Sequence, residues 1–255
     1  ADAHAQNRAA GAPGYASSLD GVADRLAAAG YAVTRQPFDF VDFEHLAPPR
    51  AEVLAPAPEL LAEGLDYQVA RFSGSGDITA DAVLVGPSDA GCALADFAAL
   101  PPGAIALVRR GGCPFAVKAQ NAVAAGAAAL ILFNTGDTAA RQGLFLARVD
   151  PDTPIPVLTV PTQRGLDLAG AALRVVVDAR AVTRTTHNLL AETPPTASGA
   201  VIMVGAHLDS VVAGPGVNDN GSGVAAALEL ALQLPACDLR HQVRVAFWGA
   251  EELGL

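Results

Sequence analysis

The stretch that decides the fold is AVIMVGAHLDSVVAGPGVNDNGSGVAAALELALQL, residues 200–234. An apolar run gives way to a Gly-rich polar loop and then to a second apolar run, and VRVAFWGAEELGL follows at 243–255. Strand, loop, helix, strand in this order is a βαβ unit, in which the helix returns the chain so that the two strands run parallel. Both strand-like runs are almost continuously apolar, as strands covered on both faces are. In open α/β sheets ligands gather at the carboxyl ends of the strands. Polar residues stand at both such ends here, His207 and Asp209 after 200–205 and Glu251 and Glu252 after 243–248.

The two-residue period of extended chain points His207 and Asp209 to the same side, where the carboxylate can orient the imidazole. Asp219 follows twelve residues after His207, just ahead of the helix. A carboxylate there also serves as a helix cap, with Asn218 and Asn220 as equal contenders. Glu251 and Glu252 would repel each other if buried together without a cation, although a solvated first helical turn accommodates both. Each residue alone has an ordinary structural explanation. Jointly they form an imidazole and carboxylate donor set suited to zinc or a similar divalent ion, with one glutamate left to act as a general base. His4, His45, His187 and His241 have no partner motif and are expected to be surface or structural. SGSGD at 73–77 lacks the lysine and helix start of a phosphate loop and reads as a turn.

With 255 residues, 51% of them hydrophobic, the chain can bury one large core or two modest ones. The formal charge is −10 and Lys118 is the only lysine, so no basic stripe exists for a phosphate backbone and nucleic acid is not an expected partner. The longest apolar stretch, 122–133, is too short and too rich in Ala and Gly to span a bilayer. Three cysteines without a C-x-x-C pair exclude a disulfide framework and leave open either one bridge or none. Upstream, Leu19, Val22 and Leu26 share a helical face that opens with Ser and Asp and stops at Gly30, and 31–38 alternates as a strand. Prolines at 48, 49, 56 and 58 are expected to break regular structure at a crossing between domains. Beyond them, short β-runs at 82–85, 104–108, 128–133, 155–160 and 173–178, with one helix at 114–125, describe a compact β-rich module.

GAHLDS (205–210), GPGVNDNGSG (214–223) and FWGAEELGL (247–255) resemble, in order and spacing, the zinc-binding motifs of the M28 family of metallopeptidases. The segment 103–136, with its strand, RGGCPF, helix and AGAAALILFN, resembles a protease-associated (PA) domain. The resemblance implies an α/β architecture: a discontinuous zinc-peptidase sheet domain made of 1–50 and 184–255, with a β-rich PA domain and its linkers inserted at 51–183. It implies a zinc-dependent exopeptidase, an aminopeptidase releasing N-terminal amino acids from peptide or protein substrates, with two zinc ions in the complete enzyme. By motif, His207 corresponds to the ligand of one ion, Asp219 to the carboxylate bridging both and Glu252 to the ligand of the second. Glu251 corresponds to the general base and Asp209 to the carboxylate behind the histidine. Relatives often carry cysteines where Cys92 and Cys113 lie, which implies a disulfide between them and a secreted or extracellular protein.

The family's remaining aspartate and histidine ligands lie downstream of the EELG segment. The sequence is therefore expected to be a piece of a longer protein, clipped at both ends, whose 255 residues alone hold at most one weak metal site and little activity. Three other uses of the same layout compete: a binding or receptor protein of the kind that has lost its ligands, a glutaminyl cyclase-like acyltransferase, and a carboxypeptidase.

Overall fold

The structure, a computed structural model, describes residues 6–86 and 90–255; His4 lies outside the described residues. The first helix, α1 (Pro13–Ala28), begins earlier than the Ser and Asp signal suggests. Proline fits the first helical position, where its preset φ helps and its missing N–H costs nothing. Ser18 spends its hydroxyl on the Gly14 carbonyl within the helix. Leu19, Val22 and Leu26 are buried as the periodicity requires. Strand β1 (Ala32–His45) runs well past residue 38.

The proline-rich stretch is not irregular. It holds β2 (Arg50–Ala55) and β3 (Glu59–Leu61), an antiparallel pair. Pro48 and Pro49 precede β2, while Pro56 and Pro58 occupy the turn, so the prolines punctuate strands whose ladder positions they leave free. There follow β4 (Gln68–Val69), β5 (Gly76–Leu84), β6 (Ile105–Arg109), α2 (Phe115–Ala124), β7 (Ala129–Phe133), β8 (Val157–Val160), α3 (Thr162–Asp167) and β9 (Ala172–Val177). Four of the five β-runs and the helix lie within a residue or two of where the sequence pattern puts them; the run at 82–85 is the end of a longer strand that begins at Gly76, so Gly76 and Asp77 of SGSGD pair in the sheet instead of forming a turn. The chain ends with β10 (Ala179–Glu192), β11 (Val201–His207), α4 (Gly223–Gln233) and β12 (Gln242–Trp248).

Two compact units result, Ala1–Phe40 with Thr183–Leu255, and Val41–Val182. The division at 40/41 falls within β1, ahead of the prolines. The unit Val41–Val182 is built on an eight-stranded sheet of order β3-β2-β9-β5-β6-β7-β8-β4, in which β5 to β8 are parallel neighbours. Ile105, Leu107 and Ile131 fill one core and Ala106, Val108, Leu130 and Leu132 another, the alternation of strands buried on both faces. Cys92 and Cys113 are joined by a disulfide, and Cys237 is free and exposed. Lys118 is buried beside that bridge, donating to the Gly111 carbonyl at 2.6 Å and to that of Ala90, so the single lysine adds nothing to the basic surface.

The other unit carries a four-stranded sheet of order β1-β10-β12-β11. β10 and β12 are antiparallel, whereas β11 and β12 are parallel in a register that pairs His207 with Trp248. Leu26, Leu189, Val245 and Phe247 are fully buried between this sheet and its helices. The parallel pair is what positions the site, because it brings both polar segments to one end of the sheet. Among the described residues no helix is long and apolar enough to cross a membrane.

Candidate metal centre

The β11–β12 ladder extends one residue beyond His207, with Leu208 N–H donating to the Trp248 carbonyl at 2.7 Å. Asp209 comes next and is fully buried. Its two oxygens are divided: Oδ1 accepts the backbone N–H of Glu251 at 3.2 Å and Oδ2 that of Glu252 at 3.1 Å. One carboxylate thus caps the short 3-10 turn Glu251–Leu253 and ties the end of β11 to the end of β12. Burial raises the Asp209 carboxyl pKa, against the pull of those two N–H groups and of His207.

The same residue orients the histidine. His207 Nδ1 lies 3.2 Å from the Asp209 carbonyl and 3.4 Å from Oδ1. In the neutral ring a proton on Nδ1, shared with these acceptors, leaves the Nε2 lone pair free to ligate, whereas in the imidazolium Nε2–H donates to Asp219 Oδ1. Nε2 is 3.0 Å from Asp219 Oδ1 and 3.8 Å from Glu251 Oε2. Burial works against the imidazolium, but the bond to Asp219 and the charges of Asp209 and Glu251 outweigh it, and the His207 pKa is raised.

The geometry also assigns the helix cap. Asn220 Oδ1 accepts the N–H of Gly223, the first residue of α4, at 3.0 Å. Asp219 is thereby released from capping; its side chain is 80% exposed and reaches back to His207. The Asp219–Asn220 peptide is cis. Gly216, three residues earlier, has φ +58°, and a Cβ there would lie 2.4 Å from the Asp219 carbonyl oxygen and 2.8 Å from Ser210 Cβ. Only glycine allows that approach.

His207, Asp219 and Glu252 each offer a ligand atom, and these atoms lie within 4.8 Å of one another. The donor set, one imidazole and two carboxylates, is the kind that zinc accepts. The His207 to Asp219 distance is close to the roughly 3.3 Å that separates two donors on one tetrahedral ion. Glu252 has a raised carboxyl pKa, first from burial and then from the charge of Asp219, with Asp209 and Glu251 adding to it and His207 opposing. Negative groups therefore crowd where a cation would relieve them, and the residues present fit a divalent metal. Glu251 stays outside that trio, its side chain 58% exposed beside Nε2.

The remaining histidines take other places. His45 lies in β1, the His187 carbonyl accepts the Tyr15 hydroxyl, and His241 Nδ1 pairs with Ser198 Oγ at 2.9 Å. One residue that the sequence did not single out is tied to this loop. Arg8 bonds to the segment between His207 and Asp219, and no spacing rule connects residue 8 to residues 208–216.

Residues 188–255 match the sequence model of peptidase family M28, and residues 78–168 match that of the PA domain. An aminopeptidase of Pseudomonas aeruginosa is 42% identical over 261 residues, covering 98% of this chain and 49% of that protein. Residues 188–255 belong to peptidase family M28. Two solved structures resemble this chain over 97% of its length. The aminopeptidase from Aneurinibacillus sp. strain AM-1 gives a TM-score of 0.81 at 28% identity over 60% of its own chain. A zinc aminopeptidase from Bacillus subtilis gives 0.69 at 27% identity over 58%. The chain spans about half the length of the curated relatives it matches.

Proposed function

We propose that this M28 protein is a zinc-dependent aminopeptidase that releases N-terminal amino acids from peptides. The strongest support is the convergence of one imidazole nitrogen and two carboxylates at the carboxyl ends of adjacent parallel strands. His207, Asp219 and Glu252 would hold the metal, Asp219 being shared if two ions bind. Zinc, when bound, supplies a Lewis acid that polarises the scissile carbonyl and lowers the pKa of water. Asp209 keeps the Nε2 lone pair of His207 outward and fixes the backbone of Glu251 and Glu252. Two adjacent glutamates then take different tasks, Glu252 within the cluster and Glu251 beside it. Glu251 accepts the proton of the attacking water and returns it to the leaving amine.

The names of the relatives support action at the N-terminus over the C-terminus, and the PA match at 78–168, the M28 match at 188–255 and the grouping of Ala1–Phe40 with Thr183–Leu255 support a PA domain inserted into a discontinuous peptidase domain, with the first boundary nearer 40 than 50. The Cys92–Cys113 bridge supports an oxidising, extracellular setting. The direction of attack is tested with paired substrates in the zinc-loaded protein: amino-acid anilides with a free α-amino group should be hydrolysed and their N-acetylated counterparts should not. Equal turnover of both, or turnover only of peptides with a free carboxyl end, would refute the aminopeptidase reading. Cyclisation of an N-terminal glutamine peptide without anilide hydrolysis would point instead to the acyltransferase.

A further inference from the structure

We infer that Arg8 sets the spacing of His207 and Asp219 by bracing the loop between them, an inference that rests on the metal-site reading above. That loop leaves β11 after His207 and returns to Asp219 ahead of α4. Its internal ties include Ser210 Oγ to the Gly214 carbonyl at 3.0 Å and Gly221 N–H to the Gly216 carbonyl at 2.9 Å. Val211, Val212 and Val217 are exposed, so apolar packing of these side chains does not fix where the returning arm lies.

Arg8 joins the two arms. Its Nε donates to the Leu208 carbonyl at 3.0 Å, next to His207. Nη1 donates to the Pro215 carbonyl and Nη2 to that of Gly216 at 3.2 Å, close before Asp219. The backbone reinforces the outgoing arm, since Arg8 N–H donates to Ser210 Oγ at 2.8 Å and Ser210 N–H donates to the Arg8 carbonyl at 3.1 Å. A guanidinium is a planar fork of N–H donors, and here it addresses three carbonyls from two chain segments at once. A lysine ammonium supplies charge without that fork. Gly216, which accepts one of these bonds, is also where a Cβ would collide with Asp219 and Ser210, so the brace acts at the tightest point of the loop. Arg8 is a positioning residue, acting on the ligands through their backbone.

The test compares wild type, Arg8→Ala and Arg8→Lys in the full-length protein. Zinc affinity is measured by competition with a chromophoric chelator, the Co(II) complex by its visible spectrum, and the metal-free protein by thermal unfolding. Both variants should bind zinc about tenfold more weakly or worse, as loss of a ligand-orienting group does, and both should alter the Co(II) bands that report coordination geometry. A role confined to stability would move the unfolding midpoint and leave the Co(II) spectrum of the bound site unchanged, which would overturn the inference. Affinity in both variants within twofold of wild type, or full rescue by lysine, would overturn it as well. If wild type itself takes up no zinc, the metal-site reading falls and takes this inference with it.

Discussion

Glu251→Gln should lower kcat by about 10²–10⁴-fold, the usual contribution of a positioned general base, while zinc content stays at the wild-type level. Glutamine preserves the size and shape of the side chain, and the backbone N–H of residue 251 remains bonded to Asp209 Oδ1. What disappears is the ability to take a proton. Because the residue stands outside the ligand trio with an exposed side chain, the change should be confined to the chemical step and leave KM nearly unaltered. Steady-state kinetics with metal analysis on the same sample decide the matter. Activity and zinc lost together would make Glu251 a ligand, and the roles given to the two glutamates would be wrong.

Asp209→Asn should weaken zinc binding by about 10–100-fold, the range for groups that orient metal ligands, although Asp209 offers no ligand atom to the cluster. The substitution is nearly isosteric, yet it does not conserve the chemistry. Each carboxylate oxygen accepts a different backbone N–H, so an amide must set its own NH₂ against one of them. A buried donor left unsatisfied costs about 1–3 kcal/mol. The metal-free variant should accordingly unfold at lower urea, and the turn carrying Glu251 and Glu252 should lose its register with β11. Chelator competition and equilibrium unfolding measure the two effects separately. Wild-type values in both would show that the bond between the two strand ends contributes nothing.

Much of the fold could be read from the sequence wherever strands are buried on both faces. Ile105–Arg109 and Ala129–Phe133 are apolar without interruption because their sheet is covered on both sides. β1 is different: its residues are exposed or partly buried with no regular period, apart from the buried Phe40, so its pattern does not reveal its length. At Pro13 and at Pro48–Pro58 a residue that breaks structure in one position starts or bounds it in another, and only the surrounding chain decides which.

The five residues of the candidate site could be singled out because each follows or precedes an apolar run whose end could be located, while the separate role given to each rests on the motif resemblance. The choice between Asp219 and Asn220 as helix cap was not legible, since either side chain can accept the same N–H. Arg8 was invisible for a more general reason. Its bonds go to backbone carbonyls some two hundred positions away, and a carbonyl carries no side-chain signature.

Whether His207, Asp219 and Glu252 hold the metal is decided most directly by anomalous diffraction at the zinc edge from crystals of the zinc-loaded protein. The expected result is an anomalous peak at about 2.0–2.2 Å from His207 Nε2 and an Asp219 carboxylate oxygen, with the Glu252 carboxylate ligating that ion or a second ion that shares Asp219. A peak elsewhere with these three side chains unliganded, or no peak at saturating zinc, would contradict the assignment.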